Sequence, residues 1–198
     1  MPEPPTFLMR FCRWTLRLFG WRIVCNVPDT PKFVVIGAWH TSNWDFPVSV
    51  LAAGGMGLPL NFIGKKELTE GRMGWLMKRL GVIGIDRQGR AKVVEQVVKV
   101  FEERNAFIPV IAAEGTRSQA EYWRTGFYYI ALAANVPIAF GFLNAEQKEI
   151  GINGYFMPTG DREDDLTKVK AFYQNMKGLK PEKQGEIKFR PVVGESSS

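Results

Sequence analysis

Histidine occurs once in this chain of 198 residues, at His40, and cysteine only twice, at Cys12 and Cys25. Without a Cys/His cluster at zinc-ligand spacing, no metal site is expected, and the two cysteines read as free thiols of a reducing compartment. No Gly-x-Ser-x-Gly elbow is present, which disfavours an ordinary serine hydrolase and leaves Ser42 without the setting of a nucleophile. No Walker loop or Gly-x-Gly-x-x-Gly fingerprint follows a strand-like run, so NTPases and dinucleotide enzymes are disfavoured. The N-terminal stretch carries arginines throughout and lacks a small-residue cleavage site, unlike a secretory signal. Charge is missing from Phe46 to Gly64 and again from Thr125 to Ala145. Gly54, Gly55, Gly57 and Pro59 interrupt the first run and Asn135-Val136-Pro137 the second, so each reads as helix, turn and buried strand rather than a membrane span.

What is present fits one domain with a substantial core. The net charge of +6 and isoelectric point near 9.4 favour an anionic partner. Nucleic acid is the weaker candidate, because the basic residues are interleaved with acidic ones and no recognised binding motif appears.

The spacing predicts a helix from Phe7 to Val24. Phe7, Phe11, Trp14, Leu18 and Trp21 recur at four and three residues, with Arg10, Arg13 and Arg17 as a stripe beside them. Leu8, Leu16 and Phe19 form a second apolar sector, so this helix is expected to face lipid on one side and the domain on the other. Strands are expected at Phe33–Ala38, Leu60–Ile63, Gly81–Arg87, Phe107–Ala112, Ile138–Leu143, Ile150–Phe156 and, at the end, Glu186–Phe189. Helices are expected from Phe46 to Ala53 with Thr41, Ser42 or Asn43 as cap, and over Met73–Leu80, Ala91–Arg104, Gly126–Ala134 and Asp164–Met176. This alternation predicts an α/β fold, a single domain with a mostly parallel or mixed central sheet and helices on both faces. Gly194 to Ser198 is disordered by composition.

Chemistry-bearing residues collect where these strands end. His40 follows the first strand, with Asp45 five residues on; Lys65 and Lys66 follow the second, Arg87 ends the third, and Glu114-Gly115-Thr116-Arg117 follows the fourth, before the polar loop. Each has an ordinary reading: a structural histidine, a carboxylate favoured at a helix N-terminus, an exposed ion pair. Together they amount to a proton acceptor beside a cationic cradle, suited to deprotonating a hydroxyl on a phosphate-bearing substrate. Cys12 and Cys25 are poorly placed as nucleophiles, so direct transfer through a ternary complex is favoured over a covalent intermediate.

The stretch His40-Thr41-Ser42-Asn43-Trp44-Asp45 resembles the His-x4-Asp motif of the glycerolipid and lysophospholipid acyltransferases, which include 1-acylglycerol-3-phosphate O-acyltransferases. Gly64-Lys65-Lys66-Glu67-Leu68, Gly84-Ile85-Asp86-Arg87, Glu114-Gly115-Thr116-Arg117 and Val136-Pro137-Ile138 follow in the family's order, and the resemblance spans Phe33 to Leu143. Ala139-Phe140-Gly141 departs from the second proline common in the last block. The resemblance implies His40 as general base oriented by Asp45, with Lys65, Arg87 and Arg117 on the acceptor phosphate and Glu114, Gly115 and Thr116 shaping that pocket. It implies no resident cofactor, acyl-CoA or acyl carrier protein as co-substrate, a lysophospholipid acceptor, and a peripheral or monotopic place on the cytoplasmic face of a membrane. Residues 1–26 then form an interfacial helical segment, 27–193 the acyltransferase α/β domain and 194–198 a tail. A thioesterase or lipid hydrolase, and a non-catalytic basic membrane-binding module, are the alternatives.

Overall fold

The computed structural model describes residues 6–39, 41–86, 89–114 and 121–190. Helix α1 runs from Phe7 to Leu18, with the Thr6 hydroxyl accepting the Met9 N–H at 3.3 Å. Here the expected helix to Val24 is corrected. Gly20 takes a φ of +77°, a left-handed conformation that ends helices, and the chain turns into strand β1, Arg22–Asn26. Trp21 matched the helical spacing, yet the following Ile23-Val24-Cys25 is β-forming sequence and finds a partner strand.

That partner is β7, Glu149–Phe156, in a seven-stranded sheet of order β1-β7-β6-β2-β5-β3-β4. The others are β2 (Val34–Ala38), β3 (Leu60–Lys65), β4 (Val82–Ile85), β5 (Ile108–Ala112) and β6 (Ile138–Asn144). Every pair is parallel except β6 with β7, so the expectation of a mixed sheet holds. Gly151 lies in β7 at φ +148°, and a Cβ there would collide with the Val24 carbonyl, so the β1–β7 pairing depends on the missing side chain.

Between the strands lie α2 (Asp45–Met56), α3 (Lys66–Glu70), α4 (Gly74–Arg79), α5 (Arg90–Glu103) and α6 (Gly126–Ala134), with α7 (Arg162–Tyr173) after β7. Alternate residues of β2 divide the core. Val34 and Ile36 pack with Val97 and Phe101 of α5, Phe127 and Ile130 of α6 and Val169 of α7. Val35 packs with Leu16 of α1, Ala52 and Met56 of α2 and Leu60 of β3. The sheet is therefore covered on both faces, as runs of consecutive apolar residues require.

Chain direction gives the same division. From β2 to β3 to β4 the connections step toward one edge; from β4 to β5 to β6 they step back. Right-handed crossovers then place α2 to α4 on one face and α5 and α6 on the other. Adjacent β2 and β5 send their following helices to opposite faces, which opens a crevice between their carboxyl ends.

The basic stretch after β3, to which the sequence pattern assigns no element, forms helix α3, which crosses so close to the sheet that Gly84 lies against Thr69. One further expectation is corrected. Glu186–Phe189 forms no strand of the sheet: Phe189 makes one isolated bridge to Trp123, because β1 already occupies the β7 edge. The two charge-free stretches are α2 with β3 and α6 with β6, as expected. Among the described residues no helix is long and apolar enough to cross a membrane. The tail from Gly194 to Ser198 lies outside the described residues.

Candidate active site

The chain leaves β2 through buried Trp39, and after His40, which lies outside the described residues, it continues through buried Thr41 and Ser42. Asp45 opens α2 and is 4% exposed. Its Oδ2 accepts the Ser42 backbone N–H at 2.6 Å, while the Ser42 Oγ accepts the Trp44 N–H at 3.2 Å. The expected cap from Thr41, Ser42 or Asn43 is thereby corrected: the N-cap is Trp44, without a side-chain cap bond. A first-turn carboxylate reaches back instead and holds the loop after His40 in a closed turn, satisfying a backbone donor and complementing the helix dipole.

Lys65 is the last residue of β3 and sits beside Ile85 of β4 in the ladder. It is exposed and has no ion-pair partner among the described residues, whereas Lys66 pairs with Glu70 at 3.3 Å one helical turn on. Beyond β4, the Asp86 N–H donates to the Gln96 Oε1 at 3.3 Å and its carbonyl accepts from Nε2 at 3.1 Å, fixing that strand end to α5. Beyond β5, Glu114 is buried, and the preceding Ala113 donates its N–H to the Gly37 carbonyl of β2 at 3.3 Å. Asp45 and Glu114 follow the adjacent strands β2 and β5, and Lys65 ends β3 beside β5, so all three stand at the carboxyl edge of neighbouring strands. Arg87, Gly115, Thr116 and Arg117, like His40, lie outside the described residues.

Aromatic rings support this edge. Trp39 meets Trp123 edge to face at 5.1 Å between centroids, and Trp123 lies 5.5 Å from Tyr173. The Tyr173 hydroxyl donates to the Gly141 carbonyl at 2.8 Å and lies 3.2 Å from that of Ile36, so it joins β2 and β6 below the loop. Burial pushes this phenol well above its ordinary value, which makes it a fixed neutral donor rather than an acid or base for chemistry. Burial likewise raises the Cys12 thiol, consistent with an inert packing role.

One side of this edge has no signature in the sequence. The segment after α7 crosses the carboxyl edge and donates the Lys180 N–H to the Thr41 Oγ1 at 3.1 Å. These residues are 139 apart in the chain, and no periodicity links them.

Comparisons with known proteins bear on the family and the fold. A family model described as Acyltransferase matches residues 8–139. The solved 1-acyl-sn-glycerophosphate (LPA) acyltransferase PlsC from Thermotoga maritima superposes with a TM-score of 0.54 at 16% identity, covering 82% of this chain and 73% of that one. No curated protein sequence matches. PlsC thus shares the fold, a single α/β domain with a helix-flanked mixed sheet. With a family model covering well over half its length, the chain belongs to the acyltransferase family.

Proposed function

We propose that this acyltransferase moves a fatty acyl group from a thioester of coenzyme A or acyl carrier protein to the free hydroxyl of a lysophospholipid, lysophosphatidic acid above all. The observation that carries this reading is that Asp45, Lys65 and Glu114 stand at the carboxyl ends of the neighbouring strands β2, β3 and β5, around the switch point between β2 and β5. The Thermotoga protein's action on 1-acyl-sn-glycerophosphate supports the choice of acceptor.

In this mechanism His40 takes the proton of the acceptor hydroxyl, and Asp45 orients and stabilises the imidazolium. The hydroxyl oxygen attacks the thioester carbonyl; the C–O bond forms and the C–S bond breaks. The proton passes from His40 to the departing thiolate, so atoms and charges balance without a covalent enzyme intermediate. Lys65, Arg87 and Arg117 hold the acceptor phosphate, the arginines as planar forks and the lysine as a point charge, while Glu114, Gly115 and Thr116 shape that pocket.

The same reading places the protein peripherally on the cytoplasmic face of a membrane. Phe7, Phe11, Trp14 and Leu18 are exposed along α1, and the Phe11 and Trp14 rings lie tilted with centroids 6.3 Å apart. The opposite side is tied down: Cys12 and Leu16 are buried, and the Arg13 Nε donates to the Gly55 carbonyl of α2 at 2.7 Å. An apolar face flanked by Arg10 and Arg17, on a helix fixed to the domain, suits the headgroup region.

The test is product identity. Purified protein with lysophosphatidate and either thioester is expected to yield the diacylated phospholipid by mass spectrometry. Free fatty acid as the only product would assign a thioesterase or hydrolase instead.

A further inference from the structure

Beside the cleft lies a second depression of about 280 Å³, lined by Thr41, Ser42, Asn43, Trp44, Lys180 and Lys183. Its outer wall is the strap that follows α7. The strap is fixed at successive points: the Lys177 carbonyl accepts the Ala145 N–H just past β6 at 2.7 Å, and the Lys180 N–H reaches Thr41. Gly178 is buried so tightly that a Cβ would sit 2.9 Å from that of Trp39 and 3.1 Å from the Thr41 Oγ1. A single 3-10 turn, Pro181–Lys183, then sets the two lysines three residues apart, with the Lys183 N–H bonded to the Lys180 carbonyl at 3.0 Å.

The backbone of this wall is therefore held against the loop after His40, while both lysine side chains are exposed. Neither has an ion-pair partner among the described residues, whereas neighbouring Lys177 is paired with Glu146 at 2.9 Å. Glu182, between them in sequence, does not line the depression. Two exposed lysines lining one depression with the Ser42 and Asn43 stretch make a concavity for an anion.

Its side of the sheet suggests which anion. In the order β6-β2-β5-β3-β4, Lys65 and the chain positions of Arg87 and Arg117 all follow strands on one side of β2, whereas the strap bonds to the chain just past β6, on the other. A direct transfer brings two substrates to one base, and each carries phosphate. We infer that Lys180 and Lys183 bind a phosphate of the acyl carrier, leaving the β3–β5 cations to the acceptor. The inference rests on the acyltransferase reading for its substrate and on the depression itself for the site.

The experiment compares the full chain with the double variant Lys180→Ala/Lys183→Ala and the paired arginine variant. Coenzyme A is titrated into each by calorimetry, and initial rates are taken with acyl-CoA and with acyl carrier protein. The alanine pair is expected to weaken coenzyme A binding, and to raise the donor KM, by about ten- to a hundredfold. The KM for lysophosphatidate should move less than twofold, and the arginine pair should restore the donor. Loss with both donors identifies the phosphopantetheine phosphate they share; loss with acyl-CoA alone identifies the nucleotide phosphates. Unchanged coenzyme A binding and donor KM, or a rise in the acceptor KM instead, would overturn the inference. A parent chain with neither coenzyme A binding nor a lysine-dependent donor KM overturns it too. If the parent binds coenzyme A but transfers to no lysolipid, the acyltransferase reading fails separately, and the titration still decides the site.

Discussion

The Asp45 carboxylate, the first residue of α2, accepts the Ser42 backbone N–H at 2.6 Å and so folds the loop after His40 onto the start of the helix. One side chain thus has a structural duty and, in the proposed mechanism, an electrostatic one, and the two separate by substitution. In Asp45→Asn the amide oxygen still accepts from Ser42 but the charge beside His40 is gone. Thermal stability should fall by less than about 1 kcal/mol while kcat falls by about 10²- to 10⁴-fold. Asp45→Ala should lose the activity and about 1–2 kcal/mol of stability as well. Equal activity loss with unchanged stability in both variants would show that the Ser42 bond contributes nothing to folding.

Tyr173 ties β2 to β6 under the same loop. Its phenol is raised by burial, so the folded state favours the protonated form. That contribution is complete below the ordinary tyrosine value of about 10 and is lost as pH rises from there through the folded value. Alkaline unfolding followed by circular dichroism should therefore steepen above about pH 10 in the parent. Tyr173→Phe should lack this component and cost about 1–2 kcal/mol near neutrality. Parallel alkaline profiles would contradict the assignment.

Asp165 offers a control far from the cleft. It is fully buried at the start of α7, where burial pushes the carboxyl up but the Thr159 N–H at 2.7 Å and Lys168 at 3.1 Å outweigh it and hold it below its ordinary value. Its contribution is present above about pH 3.9 and is lost as pH falls through the folded value. Asp165→Asn should lower stability by about 1–3 kcal/mol, flatten that acid limb, and leave the KM for both substrates unchanged. A shift in either KM would mean that this edge of the sheet communicates with the site.

Trp14 tests membrane docking without disturbing the fold. It is 57% exposed, so Trp14→Glu should change stability by no more than about 0.5 kcal/mol. Sedimentation with anionic phospholipid vesicles should show at least several-fold weaker binding for this variant. Equal sedimentation of parent and variant would remove α1 from the membrane contact.

Much of this arrangement was legible in the sequence because burial on both faces writes itself as short apolar runs. The runs at Val34–Ala38 and Ile138–Leu143 read directly as strands, and Gly126–Ala134 matched its helix end to end. The order of polar strand ends likewise announced that Asp45, Lys65 and Glu114 would stand at the carboxyl ends of neighbouring strands. What sequence could not show depended on distant partners. Ile23 and Val24 become strand only because β7 offers an edge and Gly151 leaves room for it. Thr41 meets Lys180 only after α7 has returned the chain to the carboxyl edge. Helix α3 was hidden because Lys65 and Lys66 read as cations at a strand end, whereas the space above Gly84 admits a helical turn.

The most direct test of the central claim is the initial rate of lysophosphatidate acylation by His40→Ala beside the parent, with matched melting curves for the two proteins. Loss of transfer by about 10²-fold or more, with folding intact, is the predicted result. A folded His40→Ala protein that transfers acyl groups at the parent's rate would contradict the account.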